Sequence, residues 1–80
     1  MELEMDVSLY PMGQTHVVHP VHDFVEVLRK HGCTVENSPT SLIVSGQSQQ
    51  LFEALRLGYE EAARNSGCVM VVKACNVCPL

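Results

Sequence analysis

The most constraining feature of this chain is the alternation of apolar and polar side chains over residues 2–10 (ELEMDVSLY). Successive side chains of a strand point to opposite faces of a sheet, so this strand has one apolar face and one polar face. The alternation predicts a strand of an antiparallel sheet whose apolar face packs against other elements.

Periodicity and turn residues predict five further elements. A helix begins at Pro20 and ends before Gly32, because apolar residues recur at helical spacing and glycine suits a left-handed C-cap. A hairpin then joins residues 33–37 to residues 41–45, and Gly46 closes its second strand. The last two elements are a helix over residues 48–65 and a strand over residues 68–75.

The order βαββαβ predicts a ferredoxin-like α+β sandwich, in which a four-stranded antiparallel sheet carries both helices on one face. Residues 1–80 form one domain, and so small a core favours self-association. Gly58 interrupts the second helix at a cost of about 1 kcal/mol relative to alanine. Close helix–sheet approach is the expected reason for this glycine.

The sheet face away from the helices is expected to be covered by a second copy of the chain. Residues 68–75 (CVMVVKAC) are apolar on both sides, which is typical of a strand covered on both faces. The same face carries Asp6, Ser8, Lys73 and a serine of the third strand. Covering it would enclose a polar pocket in an apolar surround, as in small-molecule sites. We therefore expect a homo-oligomer, either a dimer or a tetramer.

Three segments of the chain carry a family resemblance. They are residues 8–13 (SLYPMG), residues 41–46 (SLIVSG) leading into the helix of residues 51–55 (LFEAL), and residues 76–79 (NVCP). In this order they resemble the YkoF-like thiamine- and hydroxymethylpyrimidine-binding proteins, over essentially the whole chain. Ser45 stands where related single-domain members tend to carry glutamate.

The resemblance implies a ferredoxin-like domain that binds the aminopyrimidine moiety of thiamine, or of its hydroxymethylpyrimidine precursor, without catalysing a reaction. Some members carry two such domains in tandem, so a single-domain chain would need a homo-oligomer to build the same unit. The resemblance implies a role in thiamine metabolism or salvage, and no cofactor.

The candidate ligand-binding residues are Asp6, Ser8, Tyr10, Ser41 and Ser45. An aminopyrimidine needs an acceptor for its exocyclic amine and a donor for a ring nitrogen, and carboxylate and hydroxyl groups supply these. Tyr10 offers an aromatic face to a thiazolium cation. Each residue also has an ordinary interpretation, as a solvated or subunit-facing strand residue or, for Tyr10, as a packing residue at the strand end.

A small metal- or redox-active protein is the alternative function. His16, His19 and His22 surround the predicted start of the first helix, where three imidazoles would hold Zn²⁺ with an open fourth position. Cys75 and Cys78 form a CxxC motif at the end of a strand, whereas a redox-active CxxC motif lies at a helix N-terminus. Buried thiols that fill space at the sheet edge are the ordinary interpretation of this motif.

Several functional classes fit the sequence poorly. The net charge is −4 and the 5 basic residues are spread over three elements, which argues against nucleic-acid binding. The longest apolar run, residues 68–72, is far shorter than the roughly 20 residues that span a bilayer. The acidic N-terminal segment is unlike a signal peptide, so we expect a cytoplasmic protein with reduced thiols. No nucleophile–base pair, P-loop or dinucleotide motif is recognisable, so we expect no catalysis, with a small dimeric enzyme as a third possibility.

Overall fold

The computed structural model describes residues 1–12, 20–64 and 67–77. Their helices and strands follow the predicted order βαββαβ. The elements are β1 (Glu2–Pro11), α1 (Pro20–Lys30), β2 (Thr34–Asn37), β3 (Leu42–Gln47), α2 (Ser48–Ala62) and β4 (Cys68–Cys75). The strands form one sheet in the order β2-β3-β1-β4, and each neighbouring pair is antiparallel. This is the predicted ferredoxin-like arrangement.

The alternation of β1 attaches the sheet to the helices. Leu3, Met5 and Val7 are buried, whereas Glu4 and Asp6 between them remain partly exposed. The large side chains with the least exposure are Phe24, Met5, Leu28, Leu51, Val7 and Val44. Burying one such side chain contributes about 1.5–3 kcal/mol, so this cluster between the helices and the apolar sheet face is the main source of stability.

Proline and glycine mark the two ends of α1, as predicted. The helix begins at Pro20, and the chain leaves it through Gly32, whose φ is +84°. The N–H of Gly32 donates to the C=O of Arg29 at 3.0 Å, and the N–H of Cys33 donates to the C=O of Leu28 at 3.1 Å. This pair of bonds is a Schellman C-cap, which turns the chain from α1 into β2.

The expected reason for Gly58 is wrong, because this residue faces the other helix and not the sheet. A Cβ at position 58 would lie 2.9 Å from Cδ1 and 3.2 Å from Cε1 of Phe24 in α1. Real Cβ contacts are essentially never shorter than 3.0 Å, so the first of these two contacts would force the helices or the ring to shift. The missing side chain therefore lets α1 and α2 pack closely over the sheet.

Four of the predicted elements have bounds that differ from the structure. The first strand ends at Pro11 instead of residue 10. The second strand begins at Thr34 instead of residue 33, the third strand covers Leu42–Gln47 instead of residues 41–45, and the second helix ends at Ala62 instead of residue 65. Ser41 therefore precedes β3, and Gly46 lies within that strand, opposite Leu3, instead of closing it. Pairing with β1 extends β3 as far as Gln47, which lies opposite Glu2.

Candidate functional site

The sheet face that points away from the helices, called the open face below, is built on the even-numbered residues of β1. Residues directly opposite one another in an antiparallel ladder share a face, so the register defines the rest of it. The open face consists of Glu2, Glu4, Asp6, Ser8 and Tyr10 of β1, Ile43, Ser45 and Gln47 of β3, Thr34 and Glu36 of β2, and Val69, Val71, Lys73 and Cys75 of β4. Four of the five predicted ligand-binding residues lie on this face.

One end of the open face is an apolar patch formed by Tyr10, Val69 and Val71. Their side chains are 52%, 49% and 51% exposed, and Tyr10 lies opposite Val69 in the sheet. Contiguous exposed side chains of this kind mark interaction surfaces or ligand sites. The patch adjoins Ser8, which lies opposite Val71.

The middle of the open face is acidic. Glu4 and Asp6 follow one another along its central strand, and Glu36 extends the acidic surface onto the outer strand β2. Lys73, opposite Asp6, is the basic residue of this face. A ligand or subunit that covers the middle of the face therefore meets mainly carboxylates.

A cavity of about 250 Å³ lies between the end of β1, the turn of the β2–β3 hairpin and the first turn of α1. We call it the hairpin cavity. It brings together Ser8, Tyr10 and Ser41, three of the five predicted residues. Leu9 and Val21 contribute apolar walls. Its volume lies below the range of roughly 300–1,000 Å³ typical of pockets for drug-sized ligands, so it suits a small molecule.

Hydroxyl groups supply most of the polar chemistry of the hairpin cavity. Ser38 and Thr40 of the hairpin turn add two hydroxyls to those of the predicted residues. The Oγ atoms of Ser38 and Ser41 lie 3.5 Å apart, and the N–H of Ser38 donates to the C=O of Ser41 at 2.9 Å. A hydroxyl both donates and accepts hydrogen bonds. Since the described residues lining the cavity include no carboxylate or ammonium group, it suits a neutral polar ligand.

The structure does not bring Asp6 and Ser45 into the hairpin cavity. Ser45 lines a second cavity, of about 320 Å³, at the other end of β1, together with Glu4 and Cys75. Asp6 lies between the two cavities, beside Lys73. The predicted residues therefore follow β1 from end to end, and those at the hairpin end share one cavity.

Another concave region, of about 700 Å³, lies where α1 ends and α2 begins. It contains none of the predicted ligand-binding residues. His31, Phe52 and Glu53 line it, and the Phe52 side chain is 56% exposed. These exposed side chains make it a surface groove, so the hairpin cavity remains the better candidate.

Sequence reasoning missed Ser38 and Thr40 as cavity residues. Both belong to the turn between β2 and β3, and β3 pairs with β1 in this fold. The tip of the hairpin therefore has to lie beside the last residues of β1. The Ser-Pro-Thr-Ser turn, together with the predicted strand order, was the signal that could have found them.

The residues of the metal and redox alternative fall largely outside the described part of the chain. His16, His19 and Cys78 lie outside the described residues, whereas His22 is exposed in the first turn of α1. Cys75 is partly buried, and its Sγ accepts a hydrogen bond from the N–H of Val77 at 3.3 Å. Within residues 1–12, 20–64 and 67–77, no three His, Cys, Asp or Glu side chains are grouped to hold a metal.

Two further thiols are buried in the core. Burial raises the pKa of the Cys33 thiol and of the Cys68 thiol above their ordinary values. The thiolate is the reactive form of cysteine, so these two groups are poor nucleophiles at neutral pH. They fill space between the sheet and the helices.

These features define a class: a ferredoxin-like α+β domain whose two helices pack on one sheet face, with a small neutral cavity at the end of β1. Within that class, the chain belongs to the YKOF-related family, whose model matches residues 2–79. No curated protein matches the chain in sequence. In the described residues, no helix has the length and apolar character needed to cross a membrane.

Solved structures of low sequence identity share the fold. A hypothetical protein of Methanocaldococcus jannascii superimposes with a TM-score of 0.84 at 19% identity, over 94% of this chain and 79% of its own. A Streptococcus pneumoniae protein superimposes with a TM-score of 0.82 at 18% identity, over 100% of this chain and 90% of its own. A Thermotoga maritima protein provisionally assigned to thiamine biosynthesis or salvage superimposes with a TM-score of 0.76 at 12% identity, over 92% of this chain and 82% of its own.

Proposed function

We propose that this chain binds an aminopyrimidine, either thiamine or its hydroxymethylpyrimidine precursor, in the hairpin cavity of a homo-oligomer, without catalysing a reaction. The family and the Thermotoga maritima neighbour support a thiamine-related role. The observation that carries the proposal is the meeting of Ser8, Tyr10 and Ser41 in one small cavity. The role of such binding would be sequestration, delivery or sensing of the ligand in thiamine metabolism or salvage.

The chemistry of the cavity matches a substituted aminopyrimidine. The Ser8 and Ser41 hydroxyls can accept from an amine or a hydroxymethyl group and can donate to a ring nitrogen. The apolar walls formed by Leu9 and Val21 suit the faces of a flat ring, and Tyr10 stands at the cavity beside the open face. Because its lining is neutral, the cavity fits the uncharged pyrimidine better than the thiazolium ring of thiamine.

A second copy of the chain would complete the site by covering the open face. Tyr10 belongs both to the hairpin cavity and to the exposed apolar patch with Val69 and Val71. Packing this patch against its counterpart removes apolar area from water, which is favourable by about 25 cal/mol per Å². Exclusion of water next to Tyr10 would also strengthen hydrogen bonds to the ligand.

Isothermal titration of the chain with thiamine, hydroxymethylpyrimidine and Zn²⁺ tests the proposal. We expect saturable binding of at least one aminopyrimidine, with hydroxymethylpyrimidine the tighter ligand. Ser8→Ala and Ser41→Ala should each weaken binding about fivefold to tenfold, the value of one hydrogen bond.

Ser45→Ala is the matched control, because Ser45 is a serine of the same sheet face that lies outside the hairpin cavity. We expect it to leave the affinity unchanged. A chain that binds neither aminopyrimidine overturns the proposal, and binding of Zn²⁺ alone would favour the metal-binding alternative. Loss of affinity in Ser45→Ala but not in Ser8→Ala would place the ligand at the other end of β1.

A further inference from the structure

Two hydrogen bonds at the ends of β1 fix the direction of its main-chain groups. At one end, the N–H of Ser48 donates to the C=O of Met1 at 2.8 Å and continues the register of the β1–β3 ladder. At the other end, the N–H of Met12 donates to the C=O of Gly67 at 2.8 Å and continues the register of the β1–β4 ladder. Opposite residues of an antiparallel ladder alternate between pairs that exchange two hydrogen bonds and pairs that exchange none. The odd-numbered residues of β1 therefore bond to β3, and the even-numbered residues bond to β4.

The β1–β3 ladder ends before β1 does. Its last pair is Val7 and Leu42. The next odd-numbered residue, Leu9, would face Thr40, but Thr40 belongs to the hairpin turn. Within the residues that the structure describes, neither the N–H nor the C=O of Leu9 has a hydrogen-bond partner on this side. Both groups face the gap occupied by the hairpin cavity, which Leu9 lines.

The unused groups of Leu9 form a donor–acceptor edge. The N–H and C=O of one strand residue point to the same side and form a closely spaced pair of hydrogen bonds with an opposite residue. Main-chain groups away from water require partners, and Leu9 is only partly exposed. A ligand that offers an acceptor beside a donor can take the place of the missing residue of β3.

We propose that the main chain of Leu9 recognises the aminopyrimidine ring through two hydrogen bonds. Its C=O accepts a hydrogen bond from the exocyclic amine, and its N–H donates one to the adjacent ring nitrogen. This inference rests on the proposed function and assigns the atoms that recognise the ring. The flat heterocycle continues the β1–β3 ladder in the plane of the sheet. The Ser8 and Ser41 hydroxyls are then left for the hydroxymethyl substituent.

The amide of Leu9 provides a direct test in the wild-type protein. In ¹⁵N–¹H spectra, hydroxymethylpyrimidine should shift the Leu9 amide resonance and slow its hydrogen exchange, because the N–H gains a partner. The amide of Val7, already paired with β3, is the internal control and should keep its exchange rate. A pyrimidine that lacks the exocyclic amine should bind about tenfold more weakly than hydroxymethylpyrimidine, since one hydrogen bond is lost.

Leu9→Pro removes the proposed donor without removing a hydrogen bond of the β1–β3 ladder. We expect it to bind hydroxymethylpyrimidine about tenfold more weakly than Leu9→Ala, which keeps the N–H and loses the same side-chain packing. If Leu9→Pro does not fold, the wild-type amide measurement decides the question.

The outcomes separate the two proposals. If the wild-type chain binds no aminopyrimidine, the proposed function fails. If it binds one while the Leu9 resonance stays in place, or while Leu9→Pro and Leu9→Ala bind equally, recognition by the Leu9 main chain is wrong and the proposed function stands.

Discussion

Gly58 lies where α1 and α2 meet, and its missing side chain leaves room for the ring of Phe24. We predict that Gly58→Ala destabilises the fold by up to about 2 kcal/mol. Overpacking a core costs about 1–3 kcal/mol, while alanine recovers about 1 kcal/mol of helix propensity. Phe24 is fully buried, so the ring cannot move into solvent to relieve a contact of 2.9 Å. Urea denaturation of both proteins measures the difference.

A double-mutant cycle separates this contact from general effects on α2. In a Phe24→Leu background the smaller side chain should relieve the overlap, so Gly58→Ala should cost less there than in the wild type. A stabilising Gly58→Ala, or an equal cost in both backgrounds, would show that the close approach of the helices does not require glycine.

At the scale of the element, β1 should tolerate proline differently at adjacent positions. Ser8 is an even-numbered residue whose N–H bonds to β4, opposite Val71, whereas the N–H of Leu9 has no partner within the described residues. We predict that Ser8→Pro is less stable than Ser8→Ala by about 1–3 kcal/mol, because proline removes this ladder hydrogen bond and leaves the C=O of Val71 without its donor. Leu9→Pro and Leu9→Ala should have similar stabilities. Thermal or urea unfolding of the four variants tests the assignment, which a similar cost of proline at both positions would refute.

The elements were predictable from the sequence to different degrees, for physical reasons. The alternation of β1 and the residues around Gly32 determine local structure directly, so the strand face and the end of α1 were found. The bounds of β3 depend on its pairing with β1, which keeps Gly46 inside the strand. The partner of Gly58 was missed because helix–helix packing is set by tertiary structure and not by the helix pattern.

The site was predicted less completely than the fold, because a cavity depends on where strands end. Ser8, Tyr10 and Ser41 meet because β1 continues past the start of β3, an overhang that side-chain patterns do not reveal. The predicted serine Ser45 lies at the opposite end of the same sheet face. The main chain of Leu9 carries no residue-type signal, so it emerged only from the register.

For the whole molecule, the two outer surfaces have different electrostatic character. On the helix side, exposed ion pairs such as Arg56–Glu53 and Arg64–Glu61, both at 2.6 Å, match basic with acidic residues. The middle of the open face, in contrast, has an excess of carboxylates. Two copies that meet through this face would bring like charges together unless the apolar patches make the main contact. Association through the open face should therefore be strengthened by salt, which screens the carboxylates.

We predict that Val71→Glu prevents the proposed homo-oligomer from forming, because it places a charge in the apolar patch, opposite Ser8. Burial of an unpaired carboxylate costs several kcal/mol, more than a small apolar interface can offset.

Phe52→Glu is the matched control, since Phe52 is as exposed as Val71 but lies on the helix side. Light scattering coupled to size-exclusion chromatography should show monomers for Val71→Glu and the wild-type mass for Phe52→Glu. A monomeric wild-type protein, or dissociation by Phe52→Glu alone, would mean that the open face is not the subunit interface. Because Tyr10 belongs to both the patch and the hairpin cavity, Val71→Glu should also weaken the binding of hydroxymethylpyrimidine, whereas Phe52→Glu should not.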